Sequence, residues 1–370
     1  MAHVRVGVVG CGLVAQVEHL PNLLALPELF TVAGIADPSA KVRGALSARY
    51  GVPDFATAEE LFEQTLDAVL IATPDPYHAD LAVAGLERGL HVFSEKPLCY
   101  GETEALRIAA ARDKAKRVMQ VGYMKRFDPA YLALKDLLSA HKGPLRAVTV
   151  DVIDPDHQPF TAHRDVIVPD DVPVALIKEN SDRRRQQVVA ALGFEPDEAT
   201  FRGFAGPMSS SLVHDLNLVQ GLLDVIGVTI ADPVGAAFVN GDGGVTLMAT
   251  LQPNDATVAM TWVAAPKLAY YCERISLVFD DVNYELRFPS PYLNHHLTAL
   301  IERRAEGHHL EEISHRPSYA EPFVEELKGW HAAITSGAPV VNTVEQAGTD
   351  MALFARFARL AHERRLEGAR

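Results

Sequence analysis

Short apolar runs separated by stretches of helical periodicity fill the first third of the chain. Val4–Val9 is a compact apolar run and reads as a buried strand, and helix-like sequence follows it through Leu26 until Pro27. The alternation then repeats, with strands at Phe30–Ala36, 68–72, the apolar run that ends at Glu95, and 117–121. Helices are expected at about 39–50, 78–88 and 102–114. Strands and helices in this order predict a parallel, doubly wound α/β sheet. From residue 145 the pattern changes to longer strands, at 145–152, 234–239, 245–251, 257–264, 273–280 and 283–288, joined mostly as hairpins. Asn240-Gly241-Asp242-Gly243-Gly244 is a clear hairpin turn, and Asp280-Asp281 a weaker one. With helices at about 211–225, 321–336 and 344–365, this part predicts an α+β domain around a large, mostly antiparallel sheet. The expected division is therefore residues 1–124 and 125–370. Residues 154–193 form a long, Pro-rich insertion with a helix from Asp182, the kind of segment that serves as a lid or binding loop.

A chain of 370 residues is long for one core, which supports two domains. A net charge of −14 argues against nucleic acid or an anionic membrane as the main partner, because a phosphate backbone demands a basic footprint. No apolar run approaches the roughly 18 residues that span a bilayer. Met-Ala-His leads straight into a strand without the regions of a signal peptide. The three cysteines, Cys11, Cys99 and Cys272, lack metal or disulfide spacing and fit a reducing cytoplasm. Fifteen histidines show no ligand pattern such as HExxH, so no metal is expected.

The chemistry-bearing residues fall just past the carboxyl ends of the strands, where open α/β sheets bind ligands. Gly10-Cys11-Gly12-Leu13-Val14-Ala15 follows the first strand and opens a helix, the dinucleotide fingerprint with alanine at its last small position. Gly10 allows the tight turn and Gly12 lets the backbone approach a pyrophosphate. Asp37 ends the second strand, where an acid holds a ribose 2′-hydroxyl and repels a 2′-phosphate. With no arginine directly after it, NAD is favoured over NADP. The other reading of Asp37 is an N-cap of the next helix. Thr73-Pro74 ends another strand, and Glu95-Lys96-Pro97 ends the next. Proline stops the ladder there and presents Glu95 and Lys96 on the same rim. A lysine so held is a candidate acid/base, provided its pKa of about 10.4 falls toward neutrality.

With these residues in hand, the chain resembles the Gfo/Idh/MocA family of sugar and polyol oxidoreductases. The resemblance is carried by the GCGLVA loop, Asp37, Ala-Thr-Pro at 72–74 with His78, Glu95-Lys96-Pro97, Gly122-Tyr123-Met124-Lys125-Arg126-Phe127 and His214-Asp215-Leu216-Asn217. It implies an N-terminal Rossmann domain and a C-terminal domain whose large open-faced sheet often forms dimers or tetramers. By resemblance, Gly10, Gly12, Leu13, Val14, Asp37, Thr73, Pro74, His78, Glu95, Lys96 and Arg126 serve the cofactor. Glu95 then takes the nicotinamide ribose, Lys96 the hydroxyl that is oxidised, and the Lys96–Pro97 bond is cis. Lys96 and His214 become the catalytic pair. Tyr123, Arg126 and Ser210 shape the substrate pocket, which His157, His163 and Arg164 of the insertion could reach. The family's Asp-x-x-x-His has serine at its first position here, Ser210, and asparagine at its later acidic position, Asn217, so a charge-held proton relay lacks both of its carboxylates and Asp215 is the one acid near enough to compensate. The bland reading of His214 is a core histidine, and that of Arg183-Arg184-Arg185 a solvated helix face.

The expected activity is NAD-dependent hydride transfer to or from a secondary alcohol carbon of a sugar, glycoside or cyclitol. The rivals are NAD-retaining elimination, epimerisation or glycoside cleavage through a transient keto sugar, and a non-catalytic NAD-binding regulator.

Overall fold

The first six strands form one parallel sheet. The computed structural model describes residues 3–239, 243–253 and 255–368. Strands β1 (Val4–Val9), β2 (Phe30–Ala36), β3 (Asp54–Phe55), β4 (Ala68–Ile71), β5 (His91–Glu95) and β6 (Met119–Gly122) pair in the order β3-β2-β1-β4-β5-β6. This is the doubly wound sheet expected. Val6, Val8, Leu70, Val92 and Phe93 are fully buried, as a sheet covered on both faces requires. The strand order reverses between β1 and β4, and a crevice at such a switch point is where these sheets take ligands.

The chain separates into two compact units, and the first is not one continuous stretch. It holds the chain up to Tyr123 together with Thr161–Ala191 and Phe323–Met351. The second holds Met124–Phe160, Leu192–Pro322 and the chain from Ala352. The leading stretch of the first unit ends at Tyr123, and the two later segments join it. The reason is packing. Leu327 and Trp330, on the helix Pro322–Ser336, enter the apolar core under the parallel sheet. Trp330 stacks on Phe30 (6.0 Å) and meets Phe93 edge-on (5.5 Å).

The insertion returns to the first unit by polar docking. Its helix runs Val174–Leu192, beginning well before the expected Asp182, because the first turn already closes on the Pro173 carbonyl. Arg183 pairs with Asp80 (3.1 Å) and lies over the Tyr77 ring, Arg184 pairs with Asp75, and Gln187 donates to the Pro76 carbonyl (2.9 Å). Arg183 and Arg184 therefore anchor the helix on the segment after β4 while staying partly exposed.

In the second unit, β7 (Leu145–Asp154), β8 (Thr229–Val239), β9 (Gly244–Gln252), β10 (Ala256–Ala264), β11 (Cys272–Phe279), β12 (Val282–Phe288), β13 (Ala299–Glu306) and β14 (His309–His315) form a second sheet. Its order is β14-β13-β12-β11-β7-β10-β9-β8, antiparallel except where β7 meets β10. Val148, Val150, Val258, Met260, Ile275 and Leu277 line its buried face. Thr149, Asp151, Met248, Thr257 and Arg274 alternate onto the other face, which is half-buried to exposed. Strands β13 and β14 escape the hydrophobic pattern because charged and polar residues interrupt their apolar positions. Cross-strand pairs hold them, Arg303 with Glu312 (2.7 Å) and Arg304 with Glu311 (2.7 Å). The Asp280-Asp281 turn joins β11 to β12, whereas Asn240–Asp242 of the other expected turn lie outside the described residues. No helix among the described residues is long and apolar enough to cross a membrane, and they hold no cluster of three metal-ligating side chains.

Candidate active site

The rim of the parallel sheet is built by backbone that tolerates no substitution at one point and leaves space at the next. Gly10 has φ +88, and a Cβ there would lie 2.5 Å from the Ala72 carbonyl and the Thr73 nitrogen. Only glycine lets the turns after β1 and β4 approach so closely. A Cβ on Gly12 would meet nothing within 4 Å. The helix begins beside it with Leu13 and Val14, both half-buried, and its first turns are π-helical over Ala15–His19. The Thr73 hydroxyl is buried and has no hydrogen-bond partner among the described residues. A tight glycine, an open glycine at a helix start and an orphaned hydroxyl suit a pyrophosphate.

Asp37 sits on this rim with one carboxylate oxygen accepting from Cys11 N–H (2.9 Å) and the other from Ser39 N–H (2.9 Å). Burial pushes its carboxyl above the ordinary value, against the pull of those two N–H groups. It does not cap the following helix. Ser39 does, its hydroxyl accepting from Val42 N–H, so Asp37 keeps lone pairs for a ligand.

At the end of β5 the Glu95 carboxylate is buried. His19 donates from Nε2 to one oxygen (2.7 Å) and the Lys96 N–H donates to the other (3.1 Å). Burial opposes its charge, but His19 and Lys96 outweigh it and hold the carboxyl below its ordinary value. A Cβ on Gly122 would come 3.2 Å from a Glu95 oxygen, so glycine lets β6 lie against the carboxylate. Lys96 is half-buried and precedes a cis peptide to Pro97, as the resemblance implies. Nearby, burial and the Glu95 charge push Glu326 well above the usual carboxyl range. Tyr123 is fully buried and its carbonyl accepts from the Asn342 side chain (3.0 Å).

His78 was expected among the cofactor residues. Its ring is buried, and its two nitrogens contact the carbonyls of Pro97 (2.8 Å) and Thr73 (2.7 Å). It braces the loops after β4 and β5. Pro74, His163 and Arg164 also belong to this unit, Pro74 beside Thr73 and His163 exposed. Of the expected set, this unit brings Gly10, Gly12, Asp37, Thr73, Glu95 and Lys96 to one rim.

The remaining residues lie in the second unit. His214 is buried on the helix Val213–Leu223, Ser210 is exposed on the turn before it, and His157 is exposed. Arg126, expected near the cofactor, is buried and donates through Nε (3.1 Å) and Nη2 (2.6 Å) to the Asn217 carbonyl. A Cβ on Gly221 would sit 2.5 Å from that guanidinium. Arg126 thus braces this helix, because a buried guanidinium must find acceptors.

A cluster missed in the sequence lies beside it. Lys125 pairs with Glu273 (2.5 Å), which also accepts from the Tyr271 hydroxyl. Burial opposes the Lys125 charge, but Glu273 and Asp215 hold its pKa above the usual value. Burial and the Glu273 charge push Asp215 well above its usual range, against the pull of Lys125. The one signal in the sequence was the position of Lys125 and Asp215 next to Arg126 and His214.

Residues 4–123 match the model of an oxidoreductase family with an NAD-binding Rossmann fold. Inositol 2-dehydrogenase 3 of Saccharopolyspora erythraea is 38% identical over 141 residues, 37% of this chain and 41% of that protein. The chain thus matches about two-fifths of the length of its curated relatives. Two solved structures resemble nearly the whole chain. Aldose-aldose oxidoreductase of Caulobacter crescentus has a TM-score of 0.73 at 17% identity, over 98% of both chains. A 3-ketoreductase of Actinomadura kijaniata, in complex with NADP and TDP-benzene, has a TM-score of 0.71 at 19% identity, over 95% of this chain and 96% of that one.

Proposed function

The amino-terminal domain of this chain belongs to the Gfo/Idh/MocA oxidoreductase family, and from that premise we propose that the protein moves a hydride between a nicotinamide dinucleotide and a secondary alcohol carbon of a sugar or cyclitol. The observation that carries this is Lys96 at the end of β5, next to a buried carboxylate, on the rim that holds the glycine turn and Asp37. The dinucleotide, when bound, supplies the carbon that accepts or returns the hydride.

Gly10 and Gly12 let the backbone approach its pyrophosphate, and Asp37 accepts from a ribose hydroxyl. A carboxylate in that place favours NAD over NADP. Lys96 takes the proton of the reacting hydroxyl as the carbonyl forms and returns it in the reverse direction. The His78 contacts to Thr73 and Pro97 keep the loop bearing this amine in register with the β4 loop. His214 is assigned the second proton-handling role on the family resemblance alone. The cyclitol end of the substrate class is favoured by the inositol dehydrogenase that the first third resembles. The half-exposed face of the eight-stranded sheet is the proposed contact between copies of the chain.

Replacing Lys96 with methionine tests the assignment. Turnover with a panel of polyols and NAD should fall by about 100-fold or more, the usual contribution of a positioned acid/base. NADH binding, read by nicotinamide fluorescence, should stay within a few-fold. A variant that turns over at the normal rate refutes the role of Lys96.

A further inference from the structure

The segment leading into the insertion helix lies along the rim of the first unit. Ile167 makes two backbone bonds with the buried Gln16 side chain, its N–H donating to Oε1 (2.8 Å) and its carbonyl accepting from Nε2 (3.0 Å). The same Gln16 amide donates to the Cys11 carbonyl (2.8 Å), on the glycine turn. Arg49 donates to the Asp165 carbonyl (3.2 Å). The strap then reaches the start of the helix Ala40–Tyr50, just past Asp37. There Asp171 accepts from the Ser39 hydroxyl and from Lys41 N–H (2.9 Å), and Asp170 pairs with the Lys41 ammonium (2.7 Å).

These partners are the ones a phosphate would want. A helix N-terminal N–H, a hydroxyl and an ammonium together suit an anion, and here, directly after the residue that meets the ribose hydroxyl, all three are taken by Asp170 and Asp171. Arg43, a second cation within reach of this place, is also committed. It pairs with Asp54 (3.3 Å) and donates to the carbonyls of Asp37 and Pro38 (both 3.1 Å). Four carboxylates, on Asp37, Asp54, Asp170 and Asp171, therefore face two cations, on Lys41 and Arg43. The Ser39 and Lys41 bonds hold the Asp171 carboxyl below its ordinary value, so it is an anion at neutral pH.

We propose that Asp170 and Asp171 are specificity determinants for the cofactor: the insertion supplies a built-in anion where the 2′-phosphate of a phosphorylated dinucleotide would sit, and so restricts the rim to the dinucleotide with a free 2′-hydroxyl. This rests on the reading of the rim as a dinucleotide site. It also gives the insertion a different task from a substrate lid. Asp37 disfavours the phosphate by repulsion, and the insertion occupies the donors that would otherwise compensate.

The test is direct binding of NADH and NADPH to the full-length protein, followed by nicotinamide fluorescence, for wild type and three variants. Wild type should bind NADH at least about tenfold more tightly than NADPH. Asp171→Asn and the double variant Asp170→Asn/Asp171→Asn should tighten NADPH binding, the double by about tenfold, with NADH binding changed less than about threefold. Asp171→Glu, which keeps the charge, should retain the wild-type ratio. An unchanged ratio in the double variant, with NADH still bound, overturns the role of the insertion while leaving the rim as the nucleotide site. Wild-type protein that prefers NADPH overturns it as well. Wild-type protein that binds neither nucleotide overturns the underlying reading of the rim.

Discussion

His19 and Glu95 show how much a single side chain can matter to this rim without touching a ligand. His19 is wedged edge-on between Phe93 (5.5 Å) and Phe323 (5.8 Å), with Nε2 on the Glu95 carboxylate. Removing it leaves a buried carboxylate short of a donor, a loss on the order of 3 kcal/mol. His19→Ala should lower the unfolding free energy from urea titration by that much at pH 7, and His19→Gln, which can still donate, should recover part of it. The pH dependence has a definite sign. The folded pKa of Glu95 is depressed, so its stabilisation is present above the ordinary carboxyl range and is lost as pH falls below it. The gap between wild type and His19→Ala should therefore narrow in acid. The glycine fingerprint and Asp37 were readable because their chemistry is local. The partner of His19 lies 76 positions away in the chain, and nothing in the sequence near His19 marks it.

Whole elements were legible to the extent that their hydrophobic period was strong. The six strands of the parallel sheet contain five that the apolar runs mark, and only the two-residue β3 has no pattern to read. Charged β13 and β14, and the start of the insertion helix, depend on cross-strand and docking partners instead. The helix Pro322–Ser336 was expected at nearly its true limits, yet its home under the parallel sheet was not, because amphipathicity does not name the surface it covers. That helix carries a second buried acid, Glu326, with its pKa raised by burial and by Glu95. A raised carboxyl favours the neutral form in the folded state. Stability is thus lost as pH climbs from the ordinary carboxyl range through the folded pKa, the reverse of Glu95. Gln at position 326 mimics the neutral acid and can still accept from Asn342. Glu326→Gln should accordingly raise the melting temperature at pH 8 by several degrees and leave it nearly unchanged at pH 4, as thermal denaturation would show.

For the molecule as a whole, the interleaving of segments decides what can fold alone. A division at residue 124 suggests that the first domain could be expressed as a separate piece. The structure argues otherwise, because the core beneath its sheet includes Leu327 and Trp330, and the loop after β4 is held by Arg183, Arg184 and Gln187. Burying one tryptophan contributes about 3–5 kcal/mol, against a total stability of roughly 5–15 kcal/mol for a domain. A fragment of residues 1–124 also leaves Phe30 and Phe93 without the ring they pack on. It should bind hydrophobic dye, lack a near-ultraviolet dichroism signal and melt without cooperativity, whereas the full chain unfolds cooperatively. If the fragment instead melts sharply and binds NADH, then the later segments decorate a self-sufficient domain, and the cofactor rim owes nothing to the insertion that crosses it.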